Sequence, residues 1–183
     1  MDVFVKVWDP LVRVLHWSLA SVVLANFVNE GGDPLHNWLG YAALLLIGMR
    51  LVWGFIGTPH ARFSDWVRGP RAVAQYLRAR RSGRSHRQLG HNPAAGVMML
   101  VLLIGVILVS ISGWLQTTDR FFGAAWLETL HEVCAYAVLT LVGIHVLAAI
   151  SESIHYRENL VASMLHGRKR RLDSAPAQQQ LTE

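Results

Sequence analysis

Four stretches of this 183-residue chain, at 11–28, 38–57, 94–115 and 131–151, are continuously apolar, each near the roughly 20 residues that a membrane-crossing helix needs. A soluble domain of this length has too little interior to hide them, because 52% of the residues are hydrophobic and only 16% are charged. The runs do not alternate, which excludes the period-2 segments of a membrane barrel. The expected fold class is all-α, an integral membrane four-helix bundle over residues 1–171. The polar, Gln-rich segment 172–183 is expected to be a disordered cytoplasmic tail. No cleaved signal is expected, since residues 1–10 carry acids and aromatics and no small-residue cleavage pattern follows the first run.

Charge sets the orientation. The segment between the second and third runs holds Arg62, Arg68, Arg71, Arg78, Arg80, Arg81, Arg84 and Arg87 against Asp65 alone, which places it in the cytoplasm. Arg157, Arg168, Lys169, Arg170 and Arg171 near one terminus, with Lys6 and Arg13 near the other, agree, so both termini are expected to be cytoplasmic. The outer connections carry Glu30, Asp33, Asp119, Arg120 and Glu128, with Glu132 close by, and are acidic on balance. The net charge of +5 does not point to nucleic acid, because the basic residues hug membrane ends where anionic lipid accounts for them. Pro70 opens a short helical stretch with Val73 and Leu77 on one face, expected to lie on the inner membrane surface. The single cysteine, Cys134, lies in the fourth run, which excludes an intrachain disulfide and suits a packing role.

Nine histidines carry the chemistry. His60, His86, His91, His155 and His166 fall in cytoplasmic segments and read as solvated or cap-adjacent side chains. His91, just before Asn92 and Pro93 at the start of the third run, is also placed to reach a cofactor edge. His16, His36, His131 and His145 lie in or at the ends of the first, second and fourth runs, where a polar side chain is costly and marks function. Fourteen residues separate His131 from His145, so the two return to within about 40° of one helix face, about 21 Å apart along the axis. With the first span running outwards, His16 lies near the depth of His145, and His36 lies at the level of His131. Two imidazole pairs without carboxylate or thiolate partners suit bis-histidine haem iron better than zinc or copper. Such an iron has no open position, which favours electron transfer over oxygen chemistry.

Three further residues fit that reading. Arg50, fourteen residues after His36, projects from the same face at the inner level, either to neutralise a haem propionate or to snorkel to the headgroups. Arg13, three residues before His16, is placed to serve the same propionates. Gly40 removes a side chain where a flat porphyrin would approach, although helix packing explains a lone glycine equally well. Trp38, Trp114 and Trp126 at the outer level, and Trp8, Trp17, Trp53 and Trp66 at the inner, read as interfacial belts.

The run R-V-L-H-W at 13–17, the histidine opening the second span, L-H-E at 130–132 and G-I-H at 143–145 together resemble the bacterial cytochrome b561 family. The resemblance covers residues 6–171. L-G-H-N-P at 89–93, H-Y-R-E-N-L at 155–160 and G-R-K-R-R at 167–171 are similar to a branch that works with periplasmic c-type cytochromes. It implies four helices in the bacterial inner membrane, two b haems stacked across it, iron ligands at His16 with His145 and at His36 with His131, and exchange with the quinone pool. The function expected is a dihaem cytochrome moving electrons between quinone and a periplasmic partner, most simply a c-type cytochrome. The alternatives are a superoxide oxidase that reduces ubiquinone and a haem-bearing anchor of a larger complex such as a nickel-iron hydrogenase. Partners expected are the lipid bilayer, quinone or quinol and the redox protein, with a homodimer left open. No motif places the quinone site.

Overall fold

The computed structural model describes residues 4–29, 33–84 and 87–171; the tail at 172–183, Glu30 and His86 lie outside the described residues. The order of elements is β1 (Phe4–Lys6), α1 (Pro10–Val28), α2 (Pro34–Ile56), α3 (Phe63–Trp66), α4 (Pro70–Arg81), α5 (Pro93–Gln116), α6 (Ala125–Tyr156), α7 (Leu160–His166) and β2 (Arg168–Arg170). Four helices, α1, α2, α5 and α6, are long and apolar enough to cross a membrane. They form a membrane helical bundle.

The starts of these helices are written in the sequence. Asp9, Asp33 and Asn92 each precede a proline at the first helical position, and each side chain accepts a hydrogen bond from a backbone N–H in the first turn: Val12, His36 and Ala95 respectively. The cap satisfies a donor the helix leaves orphaned, and proline costs nothing where no N–H is needed. Hydropathy alone starts the second span at residue 38, but the Asp33 cap brings His36 into the first turn of α2. The fourth apolar run is likewise only the middle of α6, whose 32 residues reach about 48 Å, well beyond a hydrocarbon layer of about 30 Å. Glu128, Glu132 and Glu152 belong to the ends of that helix. Arg157, in the left-handed conformation at φ 49°, stops it.

Helix α1 packs on α2, α2 on α5, and α5 on α6, while α6 stands off from α1 and α2. The buried centre is thin, built from Ala43, Ile47, Val106 and Val138. Large apolar side chains such as Leu45, Phe55, Val133 and Leu147 point outwards, as they do in a protein whose solvent is lipid.

One end of the bundle carries both described chain ends and is called the inner end below. There β1 pairs antiparallel with β2, Val5 opposite Lys169, and Val7 and Trp8 donate to the Gly167 carbonyl. Trp8 donates to Ser163 Oγ, Trp17 to the Met164 carbonyl, and Arg13 to the Leu165 carbonyl, so α7 is fastened across the foot of α1. Arg87 pairs with Glu158, whose other oxygen accepts from the Arg170 N–H. The tryptophans expected to form the inner belt divide, since Trp17 is exposed and two others are not. Trp38, Trp114 and Trp126 are exposed, whereas Trp8 and Trp66 are buried within the protein. Their indoles have polar partners in the chain, Ser163 for Trp8 and the Ala61 carbonyl for Trp66, and do not need the headgroup layer. Helix α4 exposes Arg71, Arg78 and Arg81 and is held to α6 by Arg80 and Tyr76, both donating to Glu152.

Candidate haem-binding site

The gaps between α6 and its two distant neighbours are where the four membrane histidines meet. At the inner end the rings of His16 and His145 stand with centroids 6.4 Å apart. At the outer end those of His36 and His131 stand 6.0 Å apart. The rings of the two pairs are tilted by 59° and 68°, and no hydrogen bond joins the rings within either pair. An ion bound by two ring nitrogens at about 2 Å each places their centroids a little over about 6 Å apart. Both gaps fit an iron held by two imidazoles.

The outer pair is orientated by hydrogen bonds. His36 Nδ1 lies 2.8 Å from the Asn29 carbonyl. His131 Nδ1 lies 3.0 Å from the Val109 carbonyl and 3.1 Å from Ser112 Oγ, which itself donates to Val109. A carbonyl only accepts, so each ring carries its proton on Nδ1 and presents the lone pair of Nε2. Around them lies a cleft of about 800 Å³, counted out to its open mouth, lined among others by Asn26, Gly40, Tyr41 and Val106. A side-chain carbon at Gly40 would meet nothing within 4 Å, so this glycine adds width to the cleft and is not a helix contact. Gly113 differs: a carbon there would come 2.9 Å from His131 Cε1, so its absence seats that ring.

The inner pair has other surroundings. His16 packs edge-on against Trp17, with ring centroids 5.2 Å apart. Arg50 does not snorkel: it is 7% exposed, donates from Nη2 to the Ala61 carbonyl at 3.1 Å and lies over the ring of Phe63. Its Nη1 is buried without a partner. Arg13 gives Nη1 to the Leu165 carbonyl and has its Nε buried and unpartnered. His91, grouped above with the cap-adjacent histidines, sits between Trp8 and Trp66, with centroids 4.6 and 5.5 Å away. Burial, followed by the fields of Lys169 and Arg50, pushes its imidazole down to about 3, so the ring is neutral. Burial would raise the Asp9 carboxyl, but hydrogen bonds from Thr58, Val12 and Trp53 hold it below the usual range.

With the paired imidazoles on one membrane helix, the comparison with known proteins is decisive. Residues 7–167 match the prokaryotic cytochrome b561 family. The chain belongs to that family. It is therefore a multi-pass protein of the bacterial inner membrane, of a b-type cytochrome class, which implies haem b and electron transport. A probable Ni/Fe-hydrogenase B-type cytochrome subunit of Cupriavidus necator is 29% identical, over 88% of this chain and 85% of its own length. Proteins of the same description from Rhodobacter capsulatus and Azotobacter vinelandii are 26% and 25% identical, over 90% and 94% of this chain and 81% and 91% of theirs. No solved structure gives a significant match.

Ser112 and Lys169 are absent from the sequence reading of the site. A serine one turn from Val109 on the most apolar helix was a signal for the first. Nothing marked Lys169 within its basic run.

Proposed function

We propose that residues 1–171 form one membrane unit that holds two b haems, one between His16 and His145 and one between His36 and His131, and serves as the electron-carrying membrane subunit of a larger redox complex. The observation that carries this is the pair of imidazole gaps, 6.4 and 6.0 Å, lying about 21 Å apart along α6. Haem so bound supplies reversible one-electron chemistry at iron. The chain's own part is to orientate and to neutralise: Val109, Ser112 and Asn29 fix the outer rings, Gly40 leaves room, and Arg50 and Arg13 bring buried positive charge to the inner end. The four membrane helices and the basic loop between the second and third support an orientation with both termini in the cytoplasm.

The names of the relatives favour a hydrogenase-like partner over the c-type cytochrome expected from sequence. In the orientation proposed, that partner docks at the outer end, where Asp33, Asp119, Glu128 and Glu132 are exposed together with Trp126 and Phe122. Quinone is the diffusible substrate on this reading. The same acidic surface keeps a second reading alive, a soluble cytochrome with lysines round its haem edge, since opposite charge steers such a partner in. Purification from native membranes under mild detergent tests the two. Co-purification of a large periplasmic redox subunit, and two b haems per chain by pyridine haemochrome, are expected. A chain recovered alone that reduces a basic c-type cytochrome at a rate falling steeply with salt favours the second reading. A preparation without haem overturns both.

A further inference from the structure

Beside the inner histidines, three basic groups from distant parts of the chain are buried together. Arg50 comes from α2, His91 from the turn before α5, and Lys169 from β2. The Lys169 ammonium lies 5.1 Å from the centre of the Trp8 ring, and the residue is 6% exposed. Trp8 in turn contacts His91, which contacts Trp66. Trp66 and Arg50 both donate to the Ala61 carbonyl. The three groups thus form one connected wall.

The carboxylates near this wall are already engaged. Asp9, whose field reaches Arg50, accepts from Val12, Thr58 and Trp53. Glu158, whose field reaches Lys169, pairs with Arg87 and accepts from the Arg170 N–H. Among the described residues Arg50 Nη1 and His91 Nδ1 are buried without partners, and the Lys169 ammonium, over the Trp8 ring, is in no ion pair. Burial pulls the lysine down to about 8, with Glu158 acting against it, so it is still mostly charged at neutral pH. Buried charge and buried donors are costly unless paired, so this wall is built for an anion. Two features identify which one. Trp8 donates to Ser163, and Trp17, whose ring lies 5.2 Å from that of His16, donates to the adjacent Met164 carbonyl, which ties the wall to the inner imidazole pair. Aromatic rings enclose it, whereas a lipid phosphate would meet the exposed Arg71, Arg78 and Arg81 of α4 first.

We propose that Lys169 and His91 complete, with Arg50, a buried carboxylate site whose ligand is a propionate of the haem held between His16 and His145. This rests on the two-haem reading above and extends it to the chain's C-terminal strand. A cation held there disfavours the ferric state, so it raises the potential of that haem alone. Lys169 is delivered by β2, so the pairing of the chain's two ends is part of the redox centre.

The test is a redox titration of the purified full chain, followed by visible and EPR spectra, for wild type, Lys169→Met and Lys169→Arg. Methionine keeps the stem over Trp8 and removes only the charge. The expected result is a lower potential for one haem in Lys169→Met, the other haem unmoved, both retained, and recovery in Lys169→Arg. Unmoved potentials, or an equal shift of both haems, overturn the site. His91→Leu leaves β2 in place and is an independent variant: it removes a neutral donor, so it should alter the propionate bending modes in resonance Raman spectra, with a smaller downward shift of the same potential than Lys169→Met. A silent His91→Leu counts equally against the proposal. An inner potential that follows added acetate or phosphate in wild type assigns the wall to a soluble anion. A wild type without a low-spin bis-histidine spectrum overturns the two-haem reading itself, and so separates the failures.

Discussion

At the outer end, His36 and His131 are each held through Nδ1 by a backbone carbonyl, at 2.8 and 3.0 Å. At the inner end, His16 and His145 make no hydrogen bond among the described residues and are set by packing, while charge gathers around them. The outer partners are close in the chain or one helix away: Asn29 is seven residues before His36, and Val109 lies on the helix that packs against α6. The inner surroundings come from α2, the turn before α5, α7 and both terminal strands. One pair is orientated by local backbone, and the other is enclosed by an assembly of distant segments. It follows that damage to the outer pair should stay local, whereas the inner pair should respond to residues far away in sequence.

Removing the histidines themselves is the strongest way to break this comparison. His145→Ala should abolish the inner haem and spare the outer, and His131→Ala should do the reverse, each read as half the haem absorbance per folded chain. Loss of both haems from a folded protein, or of neither, would dissolve the distinction between two sites. A smaller effect is expected from Arg50→Leu. A charge-assisted contact away from water is worth about 1.5–3 kcal/mol, enough for a clear downward shift of the inner potential in a titration. An outer potential that moves as far would show that the inner charge is not local.

Ser112→Ala sharpens the other half. The Val109 carbonyl still holds His131, so the ring itself loses one neutral hydrogen bond, about 1 kcal/mol, and a slight change confined to the outer haem's spectrum is expected. A change in the inner haem would contradict the separation. The weakest effect concerns the clasp at the chain ends. Burial tends to raise the Glu158 carboxyl, but hydrogen bonds from Arg87 and the Arg170 N–H, with nearby positive charge, hold it below the usual carboxylate range. A carboxyl lowered by folding stabilises the clasp above its unfolded value and loses that contribution as pH falls through the folded one. Protease cleavage at the C-terminal strand should therefore be constant near neutral pH and increase only as pH falls below the ordinary carboxyl range. Earlier opening would mean that the Arg87 pair does not hold the clasp.

The legible part of this protein is the part governed by periodicity. Continuous apolar runs announce spans because an unpaired backbone in lipid leaves only helix as a solution. The interval of fourteen residues on α6 places two imidazoles on one face because helix geometry is fixed, and depth then selects His16 and His36 as their opposites. Asp-Pro and Asn-Pro pairs mark three helix starts, which moves the start of α2 back to Pro34 and shows why hydropathy alone begins too late.

What only the tertiary structure decided is which polar groups lose their water together. In sequence, Lys169 is one of four consecutive cations, and any of them suits a headgroup. Pairing of β2 with β1 turns Lys169 inwards over Trp8 while Arg168 and Arg170 stay exposed. His91 reads as a neighbour of a helix cap until Trp8 and Trp66, 83 residues before it and 25 before it, close on its two sides. Arg50 has two readings in sequence, and the Ala61 carbonyl with the Phe63 ring selects the inward one. Each of these depends on contacts between residues far apart in the chain, and burial, which sets the energy of a charge, is a property of the folded neighbourhood and not of the residue's own position in the sequence.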